Sequence, residues 1–479
     1  MFKTCWFSIC IALFLVSCSS SKRTAQKEKD IQTLLADSAL LNAHVGICIY
    51  DASQKTYLHT YQADKYFVPA SNAKLFTCYA AMKYLGDSLV GLRYQDFSDT
   101  AINIYPTGDP TFMHPDFSKQ PVLDFLKTEN KSIYIGYNTW KSEALGKGWS
   151  WDDYNDDYMV ERSPMPIYGN VINIKAKDLA HRLSENSTYR YVILPKWSVV
   201  PSYFQTFLDT AFVLPSQILA QIKMRDSSTQ LTALSKFNIQ RSRLNNNLSI
   251  TFSNEKFSQT TIPFFTGVKG TVVDILQKDF GIKNIRMAHL YGNDLYGSIP
   301  AHLLIHTIHS QPTDSLLKIA MHRSDNFFAE QALLMVSNEQ LGYMNDAAII
   351  DTLLKTDLKD LPQPPVWVDG SGLSRYNIFT PEDFVKVLEK MKDEFGMERM
   401  KVILATGGEG TISSYYKNLS GQIFAKTGTL SGHVALSGYL FTKKKKLLIF
   451  SILVNNHNTS ATKVRKAVER FVMTLWEKE

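Results

Sequence analysis

Ser71 and Lys74, in the stretch PASNAKLFT, stand three positions apart. A serine hydroxyl is a poor nucleophile at neutral pH and needs a neighbour to take its proton. Positions i and i+3 share a helix face, so the Lys74 amine can reach the Ser71 hydroxyl, and a buried lysine crowded by another cation has the lowered pKa that suits a base. Alone, the four-residue pattern also describes an ordinary helix start. Two later triplets change its meaning: Ser324-Asp325-Asn326 in RSDNFFAE and Lys426-Thr427-Gly428 in AKTGTL. Ser324 offers a hydroxyl that relays a proton to a leaving amine, and Asn326 an amide that holds a peptide backbone, though by themselves they read as a loop cap. Lys426 adds positive charge and Thr427 a hydroxyl. Gly428 lacks the side chain that would keep an extended peptide off the strand, so the triplet suits a peptide ending in a carboxylate. The backbone N–H groups of Ser71 and Thr429 complete the set as donors to a tetrahedral intermediate, a contribution of typically ~3 kcal/mol per donor. The chemistry is acyl transfer through a serine.

Elements at both ends of the chain must position these groups. HVGICIYDAS and TYLHTYQ read as two strands joined by a turn, and VPASNAKLFTCYAAMKYLG as a helix opened by the serine and stopped at Gly86. QIFAKTG, HVALSGYLFT and KLLIFSILVN read as adjacent strands, with Lys443 to Lys446 a solvated hairpin turn and ATKVRKAVERFVMTLWEK a closing amphipathic helix. The expected fold is α/β, with a central sheet built from both chain ends and flanked by helices. The interval from Lys74 to Ser324 is far longer than that from Asn326 to Lys426 and is punctuated by Asn, Ser, Pro and Gly turns between short alternating segments such as TYRYVILPKW and NLSITFS. It reads as a large, mainly β insertion. The expected organisation is a signal over 1–17, a tether over 18–40, a catalytic domain from 41–91 and 300–479, and inserted domains over 92–299. The Ser-Asp-Asn triplet falls in a loop between two helices.

With 479 residues and 44% hydrophobic content, the chain buries a core large enough for two or three domains. The net charge of +7 is spread rather than gathered into a stripe, which argues against a nucleic-acid partner. Lys3 followed by the apolar run Phe7 to Val16 is too short to span a bilayer and reads as an export signal. Its ending, Leu15-Val16-Ser17-Cys18, resembles a bacterial lipobox, so Cys18 would become the lipid-bearing first residue of a cell-envelope protein facing the periplasm, tied to a membrane by acyl chains. Cys48 and Cys78 then remain, either bonded in an oxidising compartment or, more plainly, two buried thiols. His302, His306 and His309 could share a helix face, yet no HExxH glutamate or carboxylate pattern accompanies them. No metal and no cofactor are expected.

The ordered set S-x-x-K, S-x-N and K-T-G is common to penicillin-binding proteins and class A β-lactamases. Together with GDPTF at Gly108, GWSWDDY at Gly148, YGNVINI at Tyr168, DGSGLSRYN at Asp369, GGEGTI at Gly407 and KTGTLSG at Lys426, the chain resembles the low-molecular-mass class C, type-4 penicillin-binding proteins. These are the D-alanyl-D-alanine carboxypeptidases and endopeptidases of peptidase family S13. The resemblance implies a penicillin-binding/β-lactamase-like transpeptidase fold with a large insertion after the S-x-x-K helix. It implies attack of Ser71 on the D-Ala-D-Ala bond of peptidoglycan stem peptides, hydrolysis of the acyl-enzyme, and covalent inhibition by β-lactams. It further implies that Asp153 and Arg375 recognise the diamino acid of the stem peptide. Glu330, near the second motif, is expected to pack or cap on its helix rather than to deacylate. The alternatives are a serine β-lactamase or esterase on the same fold, told apart by rapid turnover of the acyl-enzyme, and a non-catalytic wall-binding lipoprotein.

Overall fold

The computed structural model describes residues 29–177, 196–209, 212–213, 237–252, 259–267, 270–288 and 305–479. The signal, Cys18 and the tether up to residue 28, His302 and much of TYRYVILPKW lie outside them. The chain divides into two compact units. The first comprises Met1–Met82, Leu317–Asp325 and Ile350–Glu479, and the second Lys83–Leu316 and Asn326–Ile349.

The first unit is built on a six-stranded sheet. Its strands are β1 (His44–Asp51), β2 (Thr56–Tyr61), β3 (Ala405–Thr406), β4 (Ile423–Leu430), β5 (His433–Phe441) and β6 (Leu447–Asn455), in the order β3-β4-β5-β6-β1-β2. Every neighbouring pair is antiparallel. β1 joins the C-terminal strands through β6, with His44 opposite Asn455 and Asp51 opposite Leu448. Both strands are buried along almost their whole length, which is why they read as apolar runs rather than alternating ones. Helix α1 (Lys74–Tyr84) is mostly apolar and buried from Lys74 to Met82; the Phe76 ring packs tilted or edge-on against Trp367, Phe379 and Phe384. Helix α2 (Thr313–His322) leads into the Ser324 loop. Helix α3 (Pro381–Phe395) starts at a reciprocal cap, where the Thr380 hydroxyl accepts from the Asp383 N–H and the Asp383 carboxylate from the Thr380 N–H. Helix α4 (Ala461–Lys478) is capped by Ser460 and lays Val464, Val468, Phe471, Val472 and Leu475 into a core shared with β1, β5 and β6.

That core corrects the expected extent of the tether. Residues 29–35 are helical, and Ile31, Leu34 and Leu40 are buried in the same cluster. Asp30 pairs with Lys478 at 2.6 Å and Asp37 with Arg470, so the polar composition before Ile31 hid an element that docks on α4.

The second unit is mainly β. A five-stranded sheet runs in the order 285–287, 132–135, 101–106, 88–98 and 306–312, and two three-stranded sheets pair 171–177 with 196–200 and 259–263, and 248–252 with 237–241 and 212–213. One cluster, including Ile104, Ile133, Ile167, Ile172, Phe204 and Ile275, serves as their core. The helix Asn326–Leu341, which the expected boundaries assigned to the catalytic domain, belongs to this unit. Gln331 donates to the carbonyls of Gly108 (2.7 Å) and Ser163 (2.9 Å), and Phe328 packs on His114. His306 and His309 lie in the strand His306–Pro312, not on a helix, with His306 opposite Tyr94 and His309 opposite Val90 across a register shift.

Candidate active site

Ser71 lies in a short 3-10 turn, Ala70–Ala73, that runs directly into α1, with Lys74 as its first residue. The Lys74 ammonium is 2.9 Å from the Ser71 hydroxyl and 2.7 Å from the Ser371 carbonyl, and Lys74 is 1% exposed. Ala70 adopts φ +48°, a left-handed conformation unusual for a side chain with a β-carbon. The turn is held from behind by a buried chain of polar groups: the Asn72 amide donates to Ser437 Oγ (2.7 Å), which donates to Ser451 Oγ (2.9 Å).

Lys426, midway along β4, is fully buried and donates to Ser324 Oγ at 2.8 Å and to the Thr427 carbonyl at 2.7 Å. Ser324 occupies the loop after α2 with φ +59°. Burial first, and then the charge of Lys74, push the Lys426 amine well below the ordinary lysine value. Two amines, each against one serine hydroxyl, therefore stand in one unit. Thr427 Oγ1 donates to Thr411 Oγ1 at 2.7 Å, a partner from GGEGTI that pattern reading had not singled out.

Gly428 is also needed for a reason within the fold. A β-carbon there would meet the Pro69 carbonyl oxygen at 2.5 Å and the Ala70 Cβ at 3.2 Å. The space left by its missing side chain is filled by the nucleophile turn itself. Gly372, at φ +78°, likewise lies against the Ala70 carbonyl from the other side. Its loop, DGSGLSRYN, is organised by buried Asp369, whose carboxylate accepts from the N–H groups of Gly372 (2.7 Å) and Ser374 (2.7 Å) and from the Asn377 amide (2.8 Å). That loop presents the Ser371 carbonyl to Lys74. Sequence reasoning missed Ser371 because the contact is made by main chain, which no residue type encodes.

Arg375, from the same loop, is exposed and reaches the Ser431 carbonyl (3.3 Å) and His433 Nδ1 (3.4 Å) at the turn between β4 and β5. In the second unit, Asn326 donates its amide to the Tyr158 carbonyl at 2.9 Å. Asp153, half-buried in the turn Trp151–Asp153, hydrogen-bonds the Tyr158 phenol together with Asp156; burial, then these carboxylates, raise that phenol's pKa. Tyr158 thus touches both expected residues, Asp153 and Asn326. Glu330 is buried against Arg162 (3.1 Å), which also binds Asp346 (2.6 Å), so it packs within its own unit. Cys48 and Cys78 are both buried and no disulfide joins them.

A family model described as the D-Ala-D-Ala carboxypeptidase 3 (S13) family matches residues 27–191 and 218–475. A D-alanyl-D-alanine carboxypeptidase of Actinomadura sp. (strain R39) is 25% identical over 92% of this chain and 83% of its own. Among solved structures, penicillin binding protein 4 of Haemophilus influenzae superposes with a TM-score of 0.66 at 18% identity, covering 94% of this chain and 98% of that one. A complex of the same Haemophilus protein with a β-lactam has a TM-score of 0.61 at the same coverage. The fold is thus the α/β fold of penicillin-binding protein 4, with its extra β region. Since the matched residues take in both lysines and both serines and span most of the sequence, the chain belongs to the D-Ala-D-Ala carboxypeptidase 3 (S13) family and is a serine peptidase of that kind.

Proposed function

We propose that Ser71 is the nucleophile that opens the terminal D-Ala-D-Ala bond of peptidoglycan stem peptides. The observation that carries this reading is the 2.9 Å contact between the Lys74 amine and the Ser71 hydroxyl. With one N–H engaged by the Ser371 carbonyl, the Lys74 nitrogen is placed to take the Ser71 proton. The oxygen attacks the penultimate carbonyl, and the oxyanion is met by the N–H groups of Thr429 and Ser71, the latter in a first helical turn where N–H groups lack partners within the helix. Lys426 keeps Ser324 oriented to pass the proton to the departing D-alanine amine. Water then releases the shortened peptide. Asn326 holds the substrate backbone, and Asp153 and Arg375 take the diamino acid. A β-lactam enters by the same attack and stays as an adduct; support for this is the β-lactam complex of the Haemophilus protein.

Mass spectrometry of the protein lacking residues before Ser19 tests this, after incubation with benzylpenicillin and, separately, with a stem peptide ending in D-Ala-D-Ala. The expected result is a lasting adduct on Ser71, released D-alanine, and neither in Ser71→Ala. Rapid penicillin hydrolysis with no adduct would point to a β-lactamase, and no adduct with no product to a wall-binding protein.

The lipobox-like Leu15-Val16-Ser17-Cys18 supports a lipid anchor on Cys18 and a periplasm-facing position. Cys18→Ala is expected to move the protein from the detergent-soluble membrane fraction to the soluble one; retention in membranes would remove the anchor from the account.

A further inference from the structure

β4 alternates. Lys426 and Gly428 face the nucleophile turn, whereas Thr427 and Thr429 present their hydroxyls on the opposite side. There Thr427 meets Thr411, and Arg465, in the second turn of α4, donates Nη2 to Thr429 Oγ1 at 2.6 Å. Among the described residues Arg465 has no carboxylate within 4.0 Å and no other side-chain hydrogen bond, although a guanidinium carries five N–H donors. Arg375, reaching from the DGSGLSRYN loop to the turn between β4 and β5, is also without a carboxylate partner among those residues. Burial, then Arg375 and His457, hold His433 beside it below its ordinary pKa, against the pull of the Ser431 carbonyl. The end of this hairpin is therefore a cationic place without a carboxylate in ion-pair contact among the described residues, since Glu469, one turn along α4 from Arg465, accepts instead from the Tyr416 N–H at 2.6 Å.

The strand edge gives that charge a use. β3 pairs with β4 only at Ala425 and Phe424, so from Lys426 onward this edge of β4 has no strand beside it among the described residues. A peptide added along the edge, with its reacting carbonyl at Ser71 and the Thr429 N–H, has one residue left beyond that carbonyl. Its terminal carboxylate then lies about 3.4 Å further on, beside the threonine hydroxyls.

We propose that Arg465 is the counter-charge for the free C-terminal carboxylate of the substrate, held in register by Thr429, and that it sets the preference for terminal over internal peptide bonds. The inference rests on Ser71 as nucleophile. An acceptor that is ionised binds a guanidinium far better than a hydroxyl does, and a substrate with no carboxylate leaves Arg465 as it is in the structure. Arg465 touches the leaving residue and not the reacting atoms, so it is a specificity residue.

The test compares kcat/KM for a stem peptide ending in D-Ala-D-Ala with that for the same peptide ending in the amide, in the wild type, Arg465→Gln, Arg465→Lys and Arg375→Gln. Arg465→Gln is expected to lose roughly tenfold to a hundredfold on the acid, mostly through KM, and to change little on the amide. Arg465→Lys should recover part of the loss, and added salt should narrow the wild-type preference. Equal losses on both peptides would mean that Arg465 only supports Thr429, and this would overturn the proposal. So would an unchanged acid preference in Arg465→Gln, or a loss of preference in Arg375→Gln instead. If the wild type cleaves neither peptide, the reading of Ser71 fails first and the inference with it. Benzylpenicillin labelling and the melting temperature of each variant separate these results from misfolding.

Discussion

Lys426 is a charge kept where water does not reach, and its titration is a property of the fold as well as of the site. Its amine is pushed well below the ordinary lysine value by burial and by Lys74. Between that depressed value and 10.5, the unfolded chain holds a proton that the folded chain has released, so stability rises with pH across this window. Below the window both states are protonated and the folded state bears the full cost of the buried charge. Lys426→Met is therefore expected to melt higher than the wild type at neutral pH, with the gap closing as pH climbs towards 10.5. Its rate of acylation by benzylpenicillin should fall about 100-fold or more, because Ser324 loses the amine that orients it. A melting gap that is constant with pH would show that Lys426 is not the group titrating. At this scale Ser71, Lys74, Ser324 and Lys426 were legible from the ordered set of three motifs, because each contact is made by a side chain of distinctive chemistry. Thr411 and Arg465 were not, since a threonine and a helical arginine are commonplace until the fold brings them to β4.

At the scale of elements, the site is a packing problem solved by two glycines. The nucleophile turn lies between Gly428 on β4 and Gly372 on the loop that Asp369 ties together. Gly428→Ala puts a methyl group 2.5 Å from the Pro69 carbonyl oxygen, and either the strand or the turn must yield. The expected cost is about 1–3 kcal/mol of stability. Acylation should drop by about 100-fold, because a displacement of roughly 1 Å is enough to spoil attack. Unfolding and labelling measured on one preparation check both figures; normal labelling at reduced stability would separate the turn from the chemistry. The sequence pointed correctly to strands, to the helix after Ser71 and to a loop at Ser324, since periodicity and capping are local. It did not show the packing role of Gly428, because a vacant side chain does not say which neighbour fills the vacancy. It likewise put the helix Asn326–Leu341 in the catalytic domain, when Gln331 and Glu330 bind partners in the second unit.

For the whole molecule, the catalytic unit begins earlier than its polar leader suggests. Ile31, Leu34 and Leu40 lie in the core with Val464 and Phe471. A chain that starts at Lys29 is expected to melt with the full-length protein. One that starts at Leu41 should lose of the order of 5 kcal/mol, at about 1.5–3 kcal/mol for each buried aliphatic side chain removed. That is a large share of the stability of a typical domain. Thermal melts of the two truncations decide it; equal midpoints would return residues 29–40 to the tether.

The pairing of His44 with Asn455 has a temporal side. β1 and β2 leave the ribosome long before the strand that completes their ladder. Closing a loop of that length is slow, and folds dominated by distant pairings form late. Until β6 arrives the hairpin has a bare edge, and Ser71 has no β4 against which to rest. The nascent enzyme is inert until β4 and β6 are in place, so the nucleophile becomes reactive only after the strand that closes the sheet has joined it.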